Sequence, residues 1–194
     1  MQKKLMLKKG AEVEIRPLTV ADLDMSLEFF RELPEEDREY LRVDVTNKEI
    51  VENRIRSINQ HKIIRLIAIA NGKIVADGSL ESESHTWKEH IAELRMIVAR
   101  PYQRMGLGTL MSRELFALAA SKNVEEIMVK FAKPQAGIED TFKKLGFRQE
   151  AVLHNYVTDI KGKKHDLILM RCELESLWQK LEHFIAEADW QRSR

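Results

Sequence analysis

The sequence predicts an α/β or α+β domain, a mixed sheet with helices inserted between its strands. Three observations predict it. Short β-branched runs alternate with segments of helical spacing, an Asn-Gly pair joins two of those runs, and glycine or proline punctuates most of the other junctions. A chain of 194 residues with no long Pro/Gly/Ser linker suits one medium domain.

The elements follow in order. Glu12 to Pro17 is a short strand. Thr19 offers an N-cap to a helix whose Val20, Leu23, Leu27 and Phe30 recur at helical spacing until Pro34. Pro34 to Asp44 is highly charged and reads as an irregular connection. Thr46 and Glu49 match a capping box ahead of Ile50, Val51, Ile55 and Ile58 on one helical face. Lys62 to Ala70 and Lys73 to Ser84 form an antiparallel hairpin about Asn71-Gly72. A loop around His85 to His90 leads to a compact strand, Ala92 to Val98, then a glycine-bearing turn and an apolar helix from about Gly106 to Ser121. Ile127 to Phe131 is the next strand, and Ile138 to Leu145 is a short helix closed by Gly146. Phe147 to Thr158 and Lys164 to Glu173 pair as a last hairpin around Lys161-Gly162.

The ends carry expectations of their own. Residues 1–11, with Lys3, Lys4, Lys8 and Lys9, read as a solvated basic tail ahead of a domain spanning 12–173. Residues 174–194 read as an amphipathic helix, because Leu174, Leu177, Trp178, Leu181, Phe184, Ile185 and Ala188 form a broad apolar stripe. That stripe packs either on the chain's own sheet or in a homodimer contact.

Composition excludes several roles. With 44% hydrophobic and 32% charged residues the chain can bury a core and stay in solution. A net charge of +1 speaks against a strongly basic nucleic-acid binder, and the absence of a long apolar run speaks against a signal peptide or membrane span. The lone Cys172 sits in an apolar run as a reduced core residue, so a cytoplasmic setting is expected.

The informative stretch is VARPYQRMGLGTLM, Val98 to Met111, between a strand and a helix. Gly106 and Gly108 remove side chains, so backbone N–H groups can approach a ligand, and the helix adds its positive N-terminal end. A pyrophosphate is the natural guest, with Gln103 and Arg104 at its rim. A P-loop is rejected because Thr109 and Leu110, not lysine and serine, follow Gly108. A dinucleotide fingerprint would need a small residue at Met111 and an earlier place in the chain. A plain strand–helix turn, whose glycines only relieve crowding, stays open on these residues alone.

Gln103-Arg104-Met105-Gly106-Leu107-Gly108 resembles the acetyl-CoA signature Gln/Arg-x-x-Gly-x-Gly/Ala of the GNAT superfamily of N-acetyltransferases. Phe142-Lys143-Lys144-Leu145-Gly146-Phe147 is similar to the same superfamily's aromatic-x-x-x-Gly-Phe segment. The resemblance covers roughly Glu12 to Glu173, and it implies a mostly antiparallel central sheet of about seven strands flanked by helices, with the C-terminal helix as an addition. It implies acetyl-CoA as co-substrate, no metal, and direct attack of an amine on the thioester. It places Met96, Ile97 and Val98 on a splayed strand that offers backbone groups to the pantetheine arm and the thioester carbonyl. Arg104, Met105, Gly106, Leu107, Gly108 and Thr109 fall where backbone N–H groups hold the pyrophosphate, and Gln135 matches a position near the pantetheine commonly filled by Asn.

For proton handling, Glu93 is the first candidate base, acting through water. Glu81 and Glu83 share one strand face and are alternatives. His85, His90, His154 and His165 show no metal-ligand spacing. Phe142 stands where many members carry a tyrosine acid, which leaves water, Tyr156 or an unassisted thiolate. A non-catalytic acyl-CoA sensor is the other reading of the same residues. Glu35, Glu36 and Asp37 could draw a cationic amine. Glu14 to Arg42 resembles domains that modify protein lysines, and the tail resembles enzymes of small amines or protein N-termini, so the acceptor stays open.

Overall fold

A computed structural model describes residues 2–183 except 8–9, 40, 42, 59–61, 83–85, 136–137 and 181. In chain order the elements are β1 (Lys3–Met6), β2 (Glu12–Pro17), α1 (Leu23–Glu32), α2 (Glu35–Arg38), α3 (Lys48–Ser57), β3 (Lys62–Ala70), β4 (Lys73–Ser82), β5 (Ile91–Val98), α4 (Leu107–Ala120), β6 (Glu126–Ala132), α5 (Ile138–Lys144), β7 (Arg148–Thr158) and β8 (Lys164–Glu173). Residues 174–180 form a further helix, α6.

The eight strands make one sheet in the order β1-β2-β3-β4-β5-β6-β8-β7. Every pairing is antiparallel except β5 with β6. The fold class is as expected, but the sheet has one strand more than the expected seven or so. That strand comes from the segment expected to be a tail. β1 pairs with β2, Leu7 is buried, and Lys3 Nζ reaches the Glu114 carboxylate at 2.6 Å. Glu114 is nearly inaccessible on α4, and Arg113 holds its other oxygen at 3.1 Å. A buried carboxylate without cations is costly, so the lysine has a structural reason to dock.

Helices cover both faces. On one, α4 packs Leu107, Met111, Leu115 and Phe116 against strand residues such as Leu80, Ile127 and Met170. On the other, α1 and α3 pack Leu27, Phe30, Val51 and Ile55 against Ile67 and Ile74. β4 lies between the layers and is buried from Ile74 to Leu80. Gly78 permits the close approach of α4. A Cβ there would stand 3.2 Å from Leu115 and 3.3 Å from Met111.

Local signals were refined in three places. Thr19 N–H and Oγ1 both bond Asp22 Oδ2 at 2.8 Å, but they cap a single 3-10 turn, Val20–Asp22, that leads into α1. The cap of α3 is Asn47, not Thr46: its side chain accepts from the N–H groups of Glu49 and Ile50, while Thr46 bonds Asp44. The charged connection contains the one-turn helix α2, with Glu35, Glu36 and Asp37 in its first turn and Arg38 at its end, the arrangement the helix dipole favours. In α6, Leu174 and Leu177 are buried in the main core and Trp178 packs on it, so this part of the stripe is satisfied within the chain. Leu181, Phe184, Ile185 and Ala188 lie outside the described residues.

Candidate functional site

β5 pairs with β4 along its whole length, from Ala92↔Ser82 to Val98↔Ala76. Its pairing with β6 stops after Ile91↔Glu126, Ala92↔Ile127 and Glu93↔Met128, while β6 continues with β8 to Ala132. The two parallel strands therefore part beyond Glu93. Ala99 N–H bonds the Val75 carbonyl at 2.9 Å. Because bonded and outward-turned residues alternate along an antiparallel ladder, Leu94, Met96 and Val98 turn their backbone groups into the gap. Ile97 turns its own toward β4 and reaches the gap's cleft through its side chain.

The turn after β5 is wound to present N–H groups. Arg104 and Gly106 both have positive φ, 57° and 87°, with Met105 between them buried against the core. Such a concave run of amides makes an anion-binding nest. Gly106 caps α4 without any side-chain bond, and Leu110 N–H to Gly106 O, at 3.0 Å, is the helix's first closure. The first-turn N–H groups of Leu107, Gly108 and Thr109 are thus left for a ligand. Gly106 is required by its dihedral angles. Gly108 is not: a Cβ there would meet Met96 Sδ at 3.7 Å and Val98 at 4.0 Å, ordinary contacts. Crowding does not explain Gly108. Its bareness suits something approaching from outside. Gln103, expected at the anion rim, donates its amide to the Val98 carbonyl at 2.9 Å and so ties the turn to the end of β5.

From the gap a cleft of about 350 Å³ runs across the sheet face that α1 and α3 cover. Gln135 and Phe142 line it at the β6 end. Gln135 Oε1 accepts the Ala132 N–H at 3.0 Å, closing the turn after β6. Phe142 is edge-on to Phe147 at 5.0 Å and stacked near Phe131 at 6.1 Å, an apolar wall without a hydroxyl.

Comparison with known proteins decides what this arrangement belongs to. Residues 25–147 match the model of the acetyltransferase (GNAT) family. The chain belongs to that family. An N-alpha-acetyltransferase of Sulfurisphaera tokodaii is 23% identical over 164 residues, 78% of this chain and 90% of that protein. Among solved structures, Mycobacterium smegmatis RimJ in complex with CoA-disulfide superposes with a TM-score of 0.76 at 16% identity, over 97% of this chain and 94% of that one. A GNAT-family acetyltransferase from Streptococcus pneumoniae gives 0.69 at 20% identity, over 83% and 99%. At those identities the superpositions speak for the fold. As a GNAT protein, the chain is an acetyl-CoA-dependent acetyltransferase.

The polar residues of this GNAT cleft lie on a single sheet face, in two neighbouring groups. Arg65 forks onto Asp77 at 2.7–3.1 Å, and both side chains are under a tenth exposed. Arg95 bridges Glu81 at 3.1 Å and Glu93 at 3.3 Å, and Lys130 holds the other Glu93 oxygen at 2.9 Å. Ser79 Oγ donates to Glu81 at 3.1 Å. Glu81 lies on the cleft wall, whereas Glu93, the first sequence candidate for the base, sits behind Arg95 and Lys130. Glu83 and His85 lie outside the described residues.

Other sequence candidates stand elsewhere. Tyr156 is 65% exposed in the irregular part of β7, away from the residues that line the cleft. His154 and His165 do have acid partners, Asp166 at 3.3 Å and Asp159 at 2.7 Å, and both pairs belong to the last hairpin. Among the described residues no three His, Cys, Asp or Glu side chains group as a metal site. The acidic segment expected to draw a cation already faces two cations of this chain. Arg100 binds Asp37 at 3.0 Å and Glu36 at 3.4 Å, and Lys161 binds Glu39 at 3.3 Å and Glu35 at 4.0 Å.

Sequence reasoning passed over Arg54, Arg65, Asp77, Arg95 and Lys130. A signal existed for two of them: Arg65 and Asp77 are single charges inside apolar strands, KIIRLIAIA and KIVADGSLES. A lone charge there needs a partner.

Proposed function

We propose that this chain transfers the acetyl group of acetyl-CoA to a primary amine, a small molecule, a protein N-terminus or a lysine, by direct attack in the cleft where β5 and β6 part. The observation that carries the reading is the conjunction of that parting with a nest and a bare helix start at the end of the same strand. The backbone around Arg104 to Thr109 would hold the diphosphate, and the gap beside Met96 and Val98 would take the pantetheine arm, with Gln135 and Phe142 on its far side. The co-substrate supplies the activated acetyl thioester. A Met96 N–H directed into the gap is the donor placed to polarise its carbonyl.

Direct attack is supported by the position of the chain's one cysteine, which is the residue best suited to form an acyl-enzyme. Cys172 is on β8 in the core, and burial pushes its thiol pKa up, which favours the unreactive form. Base work falls to the Glu81–Glu93 pair, linked by Arg95, with Glu81 facing the acceptor and water relaying the proton. Phe142 leaves protonation of the departing thiolate to solvent. The reduced cysteine and this co-substrate suit a cytoplasmic setting, and no described helix is long and apolar enough to cross a membrane.

The test is a thiol-release assay over a panel of amines, peptides and polyamines, run beside calorimetric titration of acetyl-CoA. Amine-dependent release supports transfer. Binding without release from any amine would favour a sensor, and absence of binding would remove the whole reading.

A further inference from the structure

Arg54, on α3, enters the same cleft from the side opposite the coenzyme turn. The two groups beneath it are closed: Asp77 belongs to Arg65, Glu81 to Arg95, and Glu93 to Lys130 and Arg95. Four cations therefore share three carboxylates, and Arg54 is the one left over. Among the described residues its guanidinium has no hydrogen-bond or ion-pair partner. Burial pulls its pKa down to about 10, the neighbouring Arg65 and Arg95 add to that, and Asp77 and Glu81 oppose it. It still carries its charge at neutral pH. Arg54 is half-buried, and a partly desolvated, unpaired guanidinium is costly, while a planar fork of donors is best matched by a carboxylate.

One structural account competes. A cavity of about 10 Å³ lies between Arg54, Asp77 and Ser26, whose hydroxyl is the single buried side-chain polar atom left unsatisfied among the described residues. A water there would serve Ser26 and one edge of Arg54, yet it would leave the charge uncompensated. The acidic α2 segment cannot compensate it either, being held by Arg100 and Lys161.

We infer that Arg54 is an acceptor-binding residue that receives a side-chain carboxylate, so that the preferred acceptor carries an acidic side chain beside its amine. This rests on the transfer reading above and names the substrate class of that same cleft. Two sources offer the chemistry, a free acidic amino acid and a peptide beginning with Asp or Glu.

The experiment measures binding by calorimetry and turnover by thiol release with four probes: glutamate, glutamine, and short peptides that begin with Glu or with Gln. The wild-type chain should favour the acid over its amide at least tenfold in one arm, free amino acid or peptide, which identifies the source. Arg54→Met should remove that preference, leave the amide probes and acetyl-CoA affinity unchanged, and keep or raise the melting temperature, since an unpaired, half-buried charge is lost. If Arg54→Met does not fold, Arg54→Gln serves. Equal affinity of the wild type for acid and amide in both arms overturns the inference. So does a variant that loses acid and amide probes alike with a lowered melting temperature, the signature of a structural arginine. Acid-selective binding that depends on Arg54 but gives no thiol release sustains the inference and sinks the transfer reading instead.

Discussion

The two halves of the cleft are built from different material. At the end proposed for the coenzyme, main chain does the work: outward-turned amides on β5, two left-handed residues, and the bare first turn of α4. At the end proposed for the acceptor, under α1 and α3, side chains do it, through arginines, a lysine and carboxylates paired on β3, β4, β5 and β6, with Arg54 of α3 left unpaired beside them. A main-chain site depends on dihedral angles and tolerates most side-chain changes. A charged side-chain site fails when one partner is removed, because the other is left buried and alone.

The largest effect should come from breaking the acceptor half. Asp77→Ala leaves Arg65 desolvated without its carboxylate and should cost about 3–5 kcal/mol of stability, read from denaturant midpoints. A cost below about 1 kcal/mol would show that this half is not held by its charges. The matching change in the coenzyme half should spare the fold. Gly108→Glu has room for its Cβ and places an acid in a helix's first turn, where the dipole favours it. Acetyl-CoA affinity should nevertheless fall roughly a hundredfold, about 2.7 kcal/mol, with an unchanged melting curve. Retained affinity would mean that the diphosphate lies elsewhere.

A smaller effect separates the two glutamates. Glu81→Gln should lower kcat about tenfold, less than the ~10²–10⁴-fold of a directly placed base because water relays the proton. Glu93→Gln should lower it less. The reverse order would move the base behind Arg95.

The smallest effect concerns pH. Asp22 holds the start of α1 and is gripped by Arg16 at 2.6 and 2.8 Å. The Arg16 hydrogen bond, with further bonds from Thr19, lowers its pKa from 3.8 to about 2 against the opposing effect of burial. A depressed carboxylate stabilises the fold above its ordinary value and ceases to do so as pH falls through its folded value. Stability should therefore slip between about pH 4 and pH 2, and melts of Asp22→Asn should lack that part of the slope.

The turn at the end of β5 was legible because its information is local. Val98 to Met111 carries the turn, the helix start and both glycines within one stretch, and the strand and helix on either side follow from periodicity. The edge strand β1 was not legible: four lysines in the first residues look solvated until Glu114, more than a hundred positions away, comes beneath Lys3. The cap of α3 was displaced by one residue because Asn47 and Thr46 offer equivalent oxygens, and backbone geometry chose between them.

By itself, then, the sequence determined the order of the strands from β2 to β8, the glycine turn and the family to which these belong, since each depends on residues within a few positions of one another. Tertiary structure alone decided which carboxylates face which cations, where β5 and β6 separate, and that Arg54 is the cation left over. Those facts are set by distances between strands and helices remote in the chain, and Coulomb interactions in a desolvated cleft depend on such distances rather than on spacing in sequence.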